Sequence, residues 1–336
     1  MIRINQIKLD IGTDEKILNS KIQKLLRLKN SSFTYSIVKK SIDARKKEHI
    51  MYIYSVDVKV DGIDETALVR KLNNKDIIIN KNIKYVFPQI KDTPKNKKIA
   101  IIGSGPAGLF CGLLLARAGF KPVIYERGGN VHERTGIVNA FFETGVLDTE
   151  TNIQFGEGGA GTFSDGKLNS VIKEKDGRIR KVLETFVEFG ANPEILYVNK
   201  PHVGTDVLSV VVSNIRNEII RLGGTVNFNS KVTDIYIDTG KITGIRVNDE
   251  YDEEFNAVVL APGHSARDTF EMLLKKGVEM EKKSFAVGMR IEHNQSLINN
   301  FAYGRDDNGS LPVADYKVTA CLLYTSPSPR DKRQSR

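Results

Sequence analysis

Residues 98–126, KIAIIGSGPAGLFCGLLLARAGFKPVIYE, constrain this chain more than any other stretch. Ile99, Ala100, Ile101 and Ile102 form a short apolar run of the kind buried in a parallel sheet. Gly103 suits the tight turn that follows such a strand. Gly105 removes the side chain where backbone would approach a pyrophosphate, and Gly108 lets a helix lie close to its strand. Pro106 falls in the first helical turn, where its missing N–H leaves no donor unpaired, and Ser104 and Ala107 complete the segment. Leu109, Leu113 and Ala116 recur at helical spacing, and Gly119 is placed to end the helix in a left-handed conformation. Val123, Ile124 and Tyr125 read as a second strand. Glu126 stands at its end, where a carboxylate can accept hydrogen bonds from the two ribose hydroxyls of an adenosine. A G-x-G-x-x-G alone is a weak signal; with its strand, helix and terminal acid in order it predicts a dinucleotide-binding βαβ unit.

A chain of 336 residues can bury more than one core, so at least two domains are expected. The net charge of +9 is uneven: residues 1–98 carry 22 Lys plus Arg against 11 Asp plus Glu, which leaves the remainder at −2. A basic front end is a composition that meets nucleic acid or an acidic partner. Stretches such as NNKDIIINKNIK give a plainer source, an AT-rich coding bias, and that reading is preferred over nucleic-acid contact through residues 1–98. The two cysteines, Cys111 and Cys321, lack the spacing of a redox dithiol or a metal knuckle, so disulfide exchange is disfavoured and no metal site is predicted. The N-terminus has no apolar targeting region, and the apolar run after Lys98 is interrupted well short of a membrane span. A cytoplasmic chain with no membrane partner is the expectation.

Residues 1–92 alternate as strand (IRINQIKL), helix (DEKILNSKIQKLLRL), two strands (FTYSIVKKSI and HIMYIYSVDVKV), helix (DETALVRKLN) and strand (DIIINKNIKYVF). That βαββαβ order predicts a small α+β ferredoxin-like domain whose middle hairpin carries the basic tip KKSIDARKK. A Pro- and Lys-rich linker, residues 93–97, follows. Residues 98–265 read as an α/β, Rossmann-like domain with an insertion at 127–200. A helix is expected from Gly204 to Leu222, capped by Thr205 or Asp206 and ended at Gly223–Gly224. TVNFNS, KVTDIYID and KITGIRVN are expected as three short strands joined by tight turns, leading into a buried strand, EFNAVVLAPG.

Several segments carry a resemblance: SIDARKK at 41–47, GSGPAG at 103–108, FGEGGAGTFSDGKLN at 155–169, KPHVGTD at 200–206, LAPGHSARDTF at 260–270 and FAVGMRIEH at 285–293. Together they resemble the glutathione-reductase-type FAD/NAD(P)-binding superfamily and, within it, bacterial FAD-dependent or NAD(FAD)-utilising dehydrogenases. The resemblance implies FAD as cofactor, with NADH or NADPH as the electron donor considered. It implies that Gly103, Ser104, Gly105, Pro106, Ala107 and Gly108 hold the pyrophosphate at a helix N-terminus. It further implies that Glu126, with Arg127 beside it, meets the adenosine ribose, that Val232 meets adenine through its backbone, and that Ala261, Pro262 and Gly263 pass the cofactor.

Residues 156–161, GEGGAG, also fit G-x-G-x-x-G, but TFSDGKLN follows instead of a helix-forming run. The resemblance favours reading Gly158, Gly159, Ala160 and Gly161 as backbone packed close to the ribityl or flavin part of the cofactor over a plain glycine-rich turn. Arg134 is read as a phosphate or ribose contact, with pairing to the neighbours of Glu133 in solvent as the alternative. His202, His264, Asp165 and Lys167 are candidates for supplying protons or charge, although an ordinary loop histidine is the favoured reading of each histidine alone; no catalytic residue is assigned.

The function expected is a flavin-mediated hydride or electron transfer with an unidentified substrate or redox partner. A flavin-dependent RNA-modifying protein and a non-catalytic flavin redox module are the alternatives. Residues 266–320 read as the start of an incomplete substrate-side domain. The tail CLLYTSPSPRDKRQSR, 321–336, turns abruptly to Ser, Pro and Arg, and its back-translation resembles a sequencing-library adapter. A truncated chain that holds FAD weakly and is inactive is the corresponding expectation.

Overall fold

The computed structural model describes residues 1–29, 31–81, 83–88, 96–163, 166, 168, 172, 175–199, 201–283, 291–304, 309 and 311–316. The chain divides into two compact units, one of Met1–Asn80 with Phe285–Arg336, the other of Lys81–Ser284.

The first unit begins β1 (Ile2–Asp10), α1 (Ile17–Leu25), β2 (Phe33–Asp43), β3 (Met51–Val60), α2 (Glu65–Leu72), β4 (Ile77–Ile79). Its sheet is antiparallel in the order β2-β3-β1-β4, the ferredoxin-like arrangement expected. Ile2 and Ile4 point to the core, and so do Ile7 and Leu9; the change of parity is absorbed by a register shift between Ile4 and Ile7, where Gln6 takes φ 58°. Leu18 and Ile22 of α1 complete that core. Asp64 caps α2, its carboxylate accepting from the amides of Thr66 at 2.8 Å and Ala67 at 3.2 Å. The last strand is shorter than its sequence suggests, ending at Ile79.

The basic hairpin is partly neutralised within this unit. Lys40 Nζ lies 2.7 Å from the Glu15 carboxylate and 4.7 Å from the centre of the Tyr52 ring, and Arg45 pairs with Asp43 at 2.6 Å.

The second unit runs β5 (Ile99–Ile102), α3 (Pro106–Arg117), β6 (Val123–Tyr125), α4 (Val131–Thr144), α5 (Arg178–Glu188), α6 (Thr205–Arg221), β7 (Thr225–Asn227), β8 (Val232–Asp238), β9 (Lys241–Val247), β10 (Tyr251–Glu254), β11 (Ala257–Leu260) and α7 (Arg267–Lys275). A parallel sheet in the order β11-β5-β6-β7 is covered on one face by α3 and α6, whose Leu109, Leu113, Val211, Ile215 and Ile219 pack on Ile101 and Ile124. Ala100, Ile102 and Tyr125 face the other way, onto the antiparallel meander β8-β9-β10 and onto α7.

Four expectations change. TVNFNS does not open the meander: β7 pairs in parallel with β6, and the third meander strand is β10 instead. The helix α6 has Gly204 at its N-cap with no side-chain cap, so neither Thr205 nor Asp206 caps it. The insertion contains two helices, α4 and α5, that its composition had not announced. Finally, residues 266–320 do not form one domain, because α7 packs through Leu273 in the core of the second unit. The last helix, α8 (Gln295–Tyr303), belongs to the first unit, where Tyr303 packs with Ile50, Leu311 and Ala314. Expectations for the linker at 93–97 up to Lys95, and for the tail at 321–336, lie outside the described residues.

Candidate functional site at the carboxyl ends of the parallel strands

A cavity of about 370 Å³ opens where β5, β6 and β11 end, the position at which open parallel sheets receive ligands. That size lies at the low end of the roughly 300–1,000 Å³ of small-molecule sites. Its lining brings together Gly103, Gly105, Pro106 and Ala107 from the β5–α3 turn, Glu126 and Arg127 from the end of β6, Gly159 and Ala160 from the insertion, Val232 from β8, and Ala261, Pro262, Gly263 and His264 after β11. Among the residues that sequence reasoning singled out, these converge.

The three glycines of the turn do different work. Gly103 has φ +102°, and a Cβ there would stand 2.4 Å from the Ala261 carbonyl oxygen. At Gly108 a Cβ would stand 1.9 Å from the Gly103 carbonyl oxygen, so helix and turn close on each other only without it. Gly105 is unlike either. Its φ of −64° is open to any residue, and a Cβ there would meet no atom within 4 Å. The chain itself gives no reason for glycine at that position. A group that lies against the backbone at the N-terminus of α3, where the first amides have no acceptor within the helix, does. The residues present therefore fit the diphosphate of a dinucleotide.

Glu126 is buried, and its carboxylate is already engaged. Oε2 accepts from the Ser104 amide at 2.9 Å and from Ser104 Oγ at 2.8 Å; Oε1 accepts from the Gly128 amide at 3.0 Å. Ser104 and Gly108 stand behind the cavity wall and do not line it.

Arg134 does not meet the cavity. It is wholly buried, and its guanidinium donates to the carbonyls of Asn152 at 2.9 Å, Ile153 at 3.1 Å, and Glu157 and Gly159 at 2.8 Å, and to Thr162 Oγ1 at 3.0 Å. All three guanidinium nitrogens donate to the segment that holds the glycine-rich loop, and Arg134 is absent from the cavity lining, which corrects its reading as a phosphate or ribose contact. Burial pushes its pKa down to about 10, against the opposing pull of Glu126 and Glu157. A second lock sits beside it. Glu157, wholly buried, accepts from the Val131 amide at 2.7 Å and from Arg216 Nη1 at 2.7 and 2.9 Å. Burial raises the Glu157 pKa, only partly offset by Arg216.

Thus held, the loop lies on the glycine turn: the Gly158 amide donates to the Ser104 carbonyl at 3.1 Å, and a Cβ on Gly159 would come 2.7 Å from Pro106 Cδ. Gly158 and Gly161 do not line the cavity; a Cβ on Gly158 would strike Thr162 at 2.8 Å and Val212 at 2.9 Å. Packing on α6, in place of contact with a planar ligand, accounts for that glycine.

Sequence reasoning missed the charged rim. Arg127 pairs with Glu150 at 3.2 Å and with Asp268, and Lys231 pairs with Asp268 at 2.9 Å and Glu150 at 3.3 Å. Burial pushes the Asp268 carboxyl up, but hydrogen bonds from Arg127 and Lys231 outweigh it and hold it well below the usual carboxylate range. Gln154, Phe155, Ser230, Lys231 and Thr269 also line the cavity. Phe155 and Thr269 fall within segments that carry the family resemblance, whereas no motif marks Gln154, Ser230 or Lys231. Of the other candidates, His264 lines the cavity with its ring 3.3 Å from Ser265 Oγ, and His202 is exposed and outside the lining. Asp165 and Lys167 lie outside the described residues.

Comparison with known proteins agrees with this architecture. Residues 97–299 match the pyridine nucleotide-disulphide oxidoreductase family. Residues 284–325 match the C-terminal domain of FAD-dependent proteins, and residues 1–59 a domain of unknown function. The chain belongs to the pyridine nucleotide-disulphide oxidoreductases, and its cofactor is FAD. An uncharacterised protein of Clostridium beijerinckii is 46% identical over 325 residues, 95% of this chain and 59% of that protein, so the chain spans about three fifths of that relative's length. A thioredoxin reductase of Pneumocystis jirovecii is 36% identical over 80 residues, 24% of this chain and 21% of that protein. Among solved structures, the THI4 protein of Thermovibrio ammonificans is 22% identical, covers 55% of this chain and 64% of its own, and superposes with a TM-score of 0.34.

Proposed function

We propose that this cavity binds the adenosine and diphosphate end of FAD and that the protein carries out hydride or electron transfer through the flavin, with NADH or NADPH as reductant. The observation that carries the reading is Gly105. It is a glycine that neither backbone nor packing requires, on the wall of a cavity that also holds Glu126, Val232 and the Ala261–Gly263 turn. In this reading the α3 N-terminus meets the diphosphate, Glu126 accepts from the ribose, and Val232 and Pro262 bound the adenine end. Bound FAD supplies the electron chemistry; the chain binds and orients it. His264 lines the cavity, and Arg134 and Glu157 fix the loop that forms one wall.

Anaerobic mixing of the FAD-loaded chain with NADH or NADPH tests this. Loss of the oxidised flavin absorbance with one of the two is expected. Bound flavin that neither nicotinamide reduces would instead favour a non-catalytic flavin module.

A further inference from the structure

We propose that the Thr269 hydroxyl hydrogen-bonds the purine base of the adenosine and so helps to select adenine. The proposal rests on the reading of the cavity as the adenosine end of the FAD site. Thr269 lies in the first turn of α7 and lines the cavity, where it is only 6% exposed. Threonines in other helices spend their hydroxyls locally: those of Thr135, Thr144 and Thr185 donate to the carbonyl four residues earlier, at 2.8, 2.7 and 2.9 Å. For Thr269 the corresponding carbonyl, that of Ser265, accepts the Arg267 amide at 2.9 Å instead. Among the described residues the Thr269 hydroxyl has no partner, yet it is not one of the unpartnered oxygens sealed from solvent. It is therefore open to the cavity that the residue borders.

The neighbours of Thr269 place it at the base. Asp268, the preceding residue, pairs with Arg127 and, at 2.9 Å, with Lys231, which ties the start of α7 to the turn that leads into Val232. That is the adenine wall of the cavity. Its charges are matched, Arg127 and Lys231 against Glu150 and Asp268. Ser230, a second buried hydroxyl of the lining, already donates to the Phe228 carbonyl at 2.9 Å. Thr269 is left as a neutral group that can both donate and accept in a nearly closed site. Adenine offers ring nitrogens that accept and an amine that donates. A buried hydroxyl that finds its partner only in the ligand discriminates against a base that cannot supply one.

Isothermal titration of the 336-residue chain tests this with ADP and with ADP analogues that lack the 6-amino group or carry carbon in place of N1, N3 or N7. Thr269→Val keeps the side chain's shape and removes the hydroxyl. Because that hydroxyl has no partner in the free chain, the melting temperature should not fall, whereas ADP should bind roughly three- to tenfold more weakly. Thr269→Ser keeps a hydroxyl and should bind ADP within about twofold of the unmodified chain. At least one analogue should bind the unmodified chain more weakly than ADP does and lose that disadvantage in Thr269→Val. Equal ADP affinity in Thr269→Val would overturn the proposal and leave the cavity reading intact, as would a loss shared equally by ADP and every analogue. A melting temperature well below that of the unmodified chain would also overturn it, since the hydroxyl would then be held within the chain. Failure of ADP to bind the unmodified chain would remove the reading of the cavity itself.

Discussion

Arg134 shows how a charged side chain acts when, among the described residues, nothing ionic stands within hydrogen-bond distance of it. Its guanidinium is wholly buried and bonded to four carbonyls and one hydroxyl, so it stitches residues 152–162 into a fixed wall. The planar fork is what reaches them; a lysine ammonium is a point charge on a flexible stem. Arg134→Lys is therefore expected to lower stability in urea by about 3 kcal/mol or more, since buried acceptors lose partners and a buried cation loses its cage. A loss under about 1 kcal/mol would mean the loop holds without the fork. The sequence offers Arg134 as a cation for phosphate or ribose, but it cannot tell an anion from carbonyls, because both satisfy the same donors. Glu126 is the opposite case: a strand-end acid after a glycine turn has few places to go, and its position at the cavity follows from local order alone.

At the scale of elements, the rim joins parts of the chain that lie far apart in sequence. Arg127 follows β6, Lys231 precedes β8, Glu150 lies between α4 and α5, and Asp268 is in the first turn of α7. Asp268 in the folded protein titrates below its unfolded value. Its stabilising contribution is therefore present above the unfolded pKa, about 3.9, and is lost as pH falls further toward the folded value. Asp268→Asn is expected to flatten the acid limb of an unfolding free-energy profile below about pH 4 while lowering stability at neutral pH; an acid limb as steep as in the unmodified chain would contradict this role.

What was legible here follows from range. The βαββαβ order and the β5–α3–β6 unit are local patterns. The parallel pairing of β7 with β6 joins residues separated by the whole insertion, so TVNFNS and the meander strands look alike from sequence. The start of α4 did have a readable signal. Asn130 accepts from the Glu133 amide and the Glu133 carboxylate accepts from the Asn130 amide at 3.1 Å, a capping box spelled N-x-x-E.

At the scale of the molecule, the two units carry different chemistry. The first holds much of the net positive charge, yet Lys40, Arg45 and Arg3 are already paired with Glu15, Asp43 and Asp57, so the charge count overstates the free cations of that surface. Among the described residues no helix is long and apolar enough to cross a membrane. The second unit carries the family identity and the cavity, and the account depends on what that cavity holds. Isothermal titration with ADP, comparing the unmodified chain with Gly105→Val, tests it most directly. A Cβ at that position would meet no atom of the chain within 4 Å, so the melting temperature should fall only by what replacing glycine at a helix N-cap costs. One ADP site is expected in the unmodified chain, with affinity weakened by roughly tenfold or more in the variant. Equal affinity in both proteins would contradict it.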